Sequence, residues 1–205
     1  MSTEIETIMG TAPVIPVLVI DNLANAEPIA RALVAGGLRV LEVTLRTACA
    51  LDAIRAMREV EGTIVGAGTV TDPDELAAAL DAGAEFIVSP GLTERLGHAA
   101  REAGVPFLPG TANAGDIMRG LDLGLTHFKF FPAMAAGGLP ALKALAAPFQ
   151  QCRFCPTGGI TAATARDWLA FDPVFCVGGS WVVPKGSPDG AAIEAAARAA
   201  VGLRT

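Results

Sequence analysis

The feature that most constrains this chain is a joint that recurs three times, in which a helix end meets a glycine and then an apolar segment. Ala82-Gly83-Ala84-Glu85-Phe86, Ala103-Gly104-Val105-Pro106-Phe107 and Leu123-Gly124-Leu125-Thr126-His127-Phe128 place their glycines 21 and 20 residues apart. Glycine there closes a helix in the left-handed region, which a residue with a Cβ resists. A period of about 20 residues has room for one short strand and one helix, so the joints mark a repeated βα unit. Reading outward from them gives eight strand candidates, at 14–20, 40–45, 64–68, 86–89, 107–109, 127–131, 153–156 and 175–178. Short, mostly apolar runs of this kind suit parallel strands buried on both faces.

Helical patterns fill the gaps. The best marked has Asp72 as cap, Pro73 in the first turn, Glu75 closing a capping box, and Leu76, Ala79 and Leu80 at helical spacing. A second follows Asn25 and stops at Gly36-Gly37, and Ser187-Pro188-Asp189 opens a closing helix that runs to Val201. Parallel strands need right-handed crossovers, and eight of them close a sheet. The expected fold is therefore α/β, a single-domain (β/α)8 TIM barrel over residues 1–205, with a short N-terminal helix at 4–9 across its bottom. A doubly wound open sheet is the alternative.

Composition narrows the partners. Hydrophobic residues make up 52% and charged residues 18%, enough for a large core. The longest uncharged apolar stretch, 130–142, is broken by Pro132, Gly137, Gly138 and Pro140, so no membrane span is expected. The first residues are acidic where a secretory signal would be basic, which predicts a cytoplasmic protein. A net charge of −6 without a basic cluster argues against nucleic acid and for a small-molecule partner. Cys49, Cys152, Cys155 and Cys176 are then expected as reduced thiols, with Cys152 and Cys155 in the core. His98 and His127 are too few and too far apart for a metal site.

Against that background one residue stands out. His127-Phe128-Lys129-Phe130-Phe131-Pro132 sets a lysine inside an apolar run, although ammonium groups are rarely buried without a partner. In one reading its stem packs on Phe while its head reaches the surface. In the other it is a nucleophile: a dry pocket or a neighbouring cation raises the neutral fraction of an amine, and addition to a ketone gives a Schiff base that draws electrons from an adjacent carbon-carbon bond. Lys143 falls in a helical pattern and Lys185 in a polar loop, which leaves Lys129 as the internal candidate among the three lysines.

In a barrel the chemistry sits at the C-terminal ends of the strands. In Leu41-Glu42-Val43-Thr44-Leu45-Arg46, period two sends Glu42, Thr44 and Arg46 to one face, either toward a site or as a structural Glu-Arg pair. Gly66-Ala67-Gly68-Thr69 leaves space and offers a hydroxyl, and Ser89-Pro90-Gly91 supplies Pro90 as a possible wall. At the last two junctions, Pro156-Thr157-Gly158-Gly159-Ile160 and Val177-Gly178-Gly179-Ser180-Trp181 are paired glycines beside hydroxyls. Such pairs serve either as sharp turns or as backbone anion sites.

Together with Phe128-Lys129-Phe130-Phe131-Pro132, these motifs resemble, in order and spacing from Ile15 to Pro184, those of the 2-keto-3-deoxy-6-phosphogluconate aldolases. The resemblance implies a homotrimeric class I aldolase without cofactor or metal, acting on a phosphorylated keto acid in the Entner-Doudoroff pathway. It implies Lys129 as the Schiff-base lysine, Glu42 as general acid and base, and Arg46, Thr69 and Pro90 at the pyruvate end, with Phe131 lining the pocket. Thr157, Gly158, Gly159, Gly179 and Ser180 are implied at the distal or phosphate end. Thr111-Ala112-Asn113-Ala114 and the tail beyond Pro184 depart from the family pattern and leave rim specificity open. Three alternatives stand beside this: preference for 4-hydroxy-2-oxoglutarate, an isomerase or epimerase of the phosphate-binding barrels with Lys129 as a charge stabiliser, and a non-catalytic sugar-phosphate-binding barrel.

Overall fold

The computed structural model describes residues 2–184 and 189–204. Helix α1 (Ser2–Gly10) precedes β1 (Val14–Leu18), followed by α2 (Ala26–Ala35), β2 (Val40–Thr44), α3 (Ala50–Arg58), β3 (Ile64–Gly68), α4 (Pro73–Asp81), β4 (Phe86–Val88) and α5 (Glu94–Glu102). The second half holds β5 (Phe107–Leu108), β6 (Gly110–Thr111), α6 (Ala114–Asp122), β7 (His127–Phe130), α7 (Gly138–Ala146), β8 (Arg153–Pro156), α8 (Ala165–Leu169), β9 (Val177–Gly179) and α9 (Gly190–Val201). Ser187 and Pro188, expected to open the last helix, and Lys185 lie outside the described residues; Asp189 caps α9 by accepting from the N–H groups of Ala191 and Ala192.

The joints fold as their glycines require. Gly83, Gly104 and Gly124 have φ of 89°, 67° and 76°. At each, the glycine N–H bonds back three residues and the next N–H bonds back five, as in Ala84 N–H to Ala79 O at 2.9 Å. Gly37, with φ 94°, makes a fourth joint of the same kind. Asp72 caps α4 as expected, whereas Glu75 turns back one residue further than a capping box does, bonding the N–H and hydroxyl of Thr71.

Every ladder is parallel. One sheet runs β5-β4-β3-β2-β1-β9 and the other β6-β7-β8. The single strand expected at 107–109 is present as β5 and β6 on either side of Pro109, which has no N–H to give to a ladder. Its carbonyl still accepts the Lys129 N–H at 2.8 Å. At the other seam, single parallel bridges join Thr157 to Gly178 and Phe154 to Val174. The expected ends shift a little: β1 stops at Leu18, β2 at Thr44 and β7 at Phe130, and the last strand begins at Val177. The result is a curled parallel sheet, α/β in class.

The two faces of the sheet carry different cores. Leu41, Val43, Val65, Ala67, Ile87, Phe128, Phe130, Phe154 and Val177 pack outward with helix residues such as Leu33, Ile54, Leu96, Trp168 and Ile193. Ile15, Val40, Phe86, Val88, Leu108, Cys155 and Cys176 pack on the inner face with Ile5, Ile8 and Met9 of α1. The N-terminal helix therefore covers the N-terminal end of the strands, and the opposite end is left for polar groups. All four cysteines are free, and Cys152 and Cys155 are buried as expected.

His127 lies at the covered end, two residues before Lys129 on β7. It is buried, its Nδ1 lies 3.1 Å from the Thr126 hydroxyl, and its Nε2 has no partner. Burial pushes its pKa below the ordinary 6.5, with Glu6 pulling up and Arg153 pushing down. The folded chain thus resists a proton that the unfolded chain takes near pH 6.5, so stability falls as the pH drops below that value. Chemical denaturation between pH 7.5 and 5.5 is expected to show this loss, with a flatter profile in His127→Gln. Equal profiles for the two proteins would contradict it.

Candidate active site

Lys129 alternates with Phe128 and Phe130, and the alternation decides its environment. Both phenylalanines turn outward, Phe128 against Phe154 and Phe130 against Trp168 with ring centroids 6.2 Å and 6.4 Å apart. The lysine faces inward, 4% exposed, so its head does not reach the surface. Its Nζ donates to Glu42 Oε1 at 2.9 Å, and Glu42 is itself 3% exposed. The ammonium also sits 5.3 Å from the centroid of the half-buried Phe131 ring. A buried pair of this kind is retained only where both charges are desolvated together, since removing either partner strands the other.

Glu42 reaches this position from β2, with Val17 of β1 and Gly66 of β3 as its register partners. Thr44, two residues on, donates to Leu18 O at 2.8 Å and is fully buried, so this hydroxyl ties strands together. Arg46 lies past the strand end and is exposed, with its Nε donating to Thr69 Oγ1 at 3.2 Å. The structural Glu-Arg pair considered from the sequence is absent among the described residues: Glu42 is taken by Lys129 and Arg46 by Thr69.

Thr69 has φ 63°, the only described non-glycine residue with positive φ. A β-branched residue there is strained by roughly 1–3 kcal/mol, and such strain persists where surrounding structure and function hold it. Pro90 is half-buried at the end of β4, and its carbonyl is packed so closely on β6 that a Cβ on Gly110 would lie 2.1 Å from it.

At the β8 and β9 ends, Thr157 is buried on the inner face, and Gly158 and Gly159 follow with φ of 108° and 78°. The carbonyls of Thr157 and Gly158 accept from the N–H groups of Ala133 and Met134, fixing this turn to the loop after β7. Gly178 leaves room for Thr157, since a Cβ there would lie 2.1 Å from its hydroxyl. Gly179 is buried and Ser180 exposed, and Ser180 lines a cavity of about 410 Å³ with Val17, Asp21, Asn22, Val183 and Pro184. The contribution of the loop after β1 carries no sequence signal beyond its position at a strand's C-terminal end. The departure at 111–114 has a structural reason, since Asn113 caps α6 by accepting the Asp116 N–H. Among the described residues no His, Cys, Asp and Glu cluster has the geometry of a metal site.

A buried amine bonded to a carboxylate, at the polar end of a curled parallel sheet, is the arrangement the aldolase resemblance implies. The model of the family described as KDPG and KHG aldolase matches residues 5–196. The chain belongs to the KDPG and KHG aldolase family. It is 60% identical over 197 residues to the 2-dehydro-3-deoxy-phosphogluconate aldolase of Zymomonas mobilis, covering 96% of this chain and 95% of that one. A crystal structure of the Zymomonas mobilis enzyme with 3-phosphoglycerate superposes with a TM-score of 0.98, at 58% identity over 99% of this chain and 97% of the other. The KDPG aldolase of Legionella pneumophila, with pyruvate captured as a covalent carbinolamine, superposes at 0.93 and 42% identity, covering 97% of this chain and 98% of that one.

The bond between Arg46 and the strained Thr69 gives this family member a testable feature. Thr69→Gly removes the strain and the hydroxyl together. Thermal stability is expected to hold or rise by about 1 kcal/mol, while kcat/KM for the keto acid falls about tenfold through loss of one charge-assisted hydrogen bond. Denaturation and steady-state kinetics check this, and lower stability with unchanged kcat/KM would assign the bond to the fold alone.

Proposed function

We propose that the chain is a class I aldolase cleaving 2-dehydro-3-deoxy-6-phosphogluconate to pyruvate and D-glyceraldehyde 3-phosphate. The observation that carries this reading is the 2.9 Å contact between buried Lys129 and buried Glu42. Proton transfer from Nζ to Glu42 leaves a neutral amine, which adds to the C2 ketone to give a carbinolamine. Glu42 returns the proton to the departing hydroxyl, and loss of water leaves the iminium. Glu42, again a carboxylate, takes the C4 hydroxyl proton as the bond between C3 and C4 breaks; the aldehyde leaves and its electron pair passes into the enamine. The protonated Glu42 then delivers that proton to C3, and hydrolysis of the iminium frees pyruvate and the amine.

Arg46, braced by Thr69, neutralises the substrate carboxylate, and Pro90 and Phe131 form the walls beside it. The distal end lies toward Thr157, Gly158, Gly159, Gly179 and Ser180, where backbone N–H groups of glycine turns meet a phosphate. In this reading residues 1–205 form one domain whose sheet closes as a (β/α)8 barrel, supported by the split strand around Pro109 and the Thr157–Gly178 bridge. A homotrimer in the cytoplasm belongs to the same reading, and no helix among the described residues is long and apolar enough to cross a membrane. The second reading is the same chemistry on 4-hydroxy-2-oxoglutarate, favoured by the double name of the family, and the ratio of kcat/KM for the two substrates decides between them.

Borohydride reduction in the presence of pyruvate is expected to place a reduced pyruvyl adduct on the peptide holding Lys129, and Lys129→Ala is expected to remain soluble without turnover. Cleavage by Lys129→Ala, or an adduct on another residue, would overturn the assignment.

A further inference from the structure

The inner face of β3 carries no side chain beyond Ile64, because Gly66 and Gly68 are the next two residues with that orientation. Neighbouring strands use the space. From β4, the Phe86 ring lies across Gly66, so a Cβ there would be 2.4 Å from it. From β2, the Glu42 side chain lies across Gly68: a Cβ there would stand 2.3 Å from Oε1, 2.7 Å from Cγ and 2.8 Å from Cδ. All three nearest atoms belong to Glu42. Gly68 is in a strand and is not among the residues with positive φ, so its backbone does not ask for glycine. The reason for glycine at 68 is the room it leaves.

We infer that Gly68 is a positioning residue for the aldol reaction, its bare Cα forming the seat that holds the Glu42 carboxylate against Lys129. The inference rests on the catalytic role proposed above for Glu42. The oxygen that touches the seat most closely, Oε1, is the one bonded to Lys129 Nζ. A methyl group at residue 68 needs ordinary contact of at least 3.4 Å where 2.3 Å is available, so the carboxylate must retreat by about 1 Å. It then leaves the reach of both the amine and the reacting carbons, and a displacement of about 1 Å at a reacting group is enough to cost about 100-fold in rate.

The test is a double-mutant cycle of Gly68→Ala and Glu42→Ala, read by kcat and KM for 2-dehydro-3-deoxy-6-phosphogluconate cleavage and by Tm. Gly68→Ala alone is expected to lower kcat about 100-fold with KM nearly unchanged, and to lower Tm. In the Glu42→Ala background the methyl meets no carboxylate, so Gly68→Ala is expected to change neither kcat nor Tm. The Tm arm holds even where Glu42→Ala has no measurable turnover, because it compares the double variant with Glu42→Ala, and equal Tm in those two supports the seat even if Gly68→Ala alone folds poorly. Wild-type kcat in Gly68→Ala, or an equal loss of Tm in both backgrounds, would overturn the seat. Wild-type kcat in Glu42→Ala would instead sink the role of Glu42, whatever Gly68 does.

Discussion

The ion pair between Lys129 and Glu42 is the constraint around which this sheet is arranged. Two charges taken out of water are tolerated only if each compensates the other, and the 2.9 Å contact at 4% and 3% exposure meets that condition. Each partner comes from a different strand, so the pair also fixes how β7 and β2 face one another across the inside of the curl. Period two does the sorting: on β7 the phenylalanines flanking the lysine join the helix-facing core, and on β2 Leu41 and Val43 do the same on either side of Glu42.

The two ends of the inner face divide stability from chemistry. At the N-terminal end, α1 adds Ile5, Ile8 and Met9 to Ile15, Val40 and Phe86, and the buried histidine at this end, His127, has its pKa lowered by burial. At the C-terminal end several strands finish in polar or small residues, among them Thr44, Gly68, Thr111 and Gly179, and a local rule is broken where the β-branched Thr69 sits in the left-handed region. Departures from unstrained geometry gather where a substrate must be met by fixed groups.

Much of this was legible in the sequence, because its causes are local. The Schellman glycines at 83, 104 and 124 are legible because only glycine relieves the left-handed position, and the inward lysine because burying an amine among apolar residues needs a chemical reason. What the sequence hides are facts about pairs. The shared face of Glu42 and Arg46 leaves a structural Glu-Arg pair open beside a shared site, and only the structure shows that Lys129, 87 residues away, takes the carboxylate. Thr44 shares that face too, and its hydroxyl is spent on the Leu18 carbonyl. The break of the fifth strand follows from Pro109, whose effect on a ladder was readable but whose neighbours on both sides were not. Gly68 reads from the sequence as a small residue that leaves space at a strand end, and the course of the Glu42 side chain shows what fills that space.

The most direct measurement on the central pair is the exchange of deuterium into the methyl group of pyruvate, followed by NMR in heavy water, by Glu42→Gln. That substitution keeps the shape of the side chain and removes its capacity to carry the proton. The expected result is exchange slowed by about 100-fold or more, in the range typical for loss of a general acid and base, while borohydride still traps pyruvate on Lys129. Exchange at the wild-type rate would contradict a catalytic role for the carboxylate and leave the buried pair as a structural contact only.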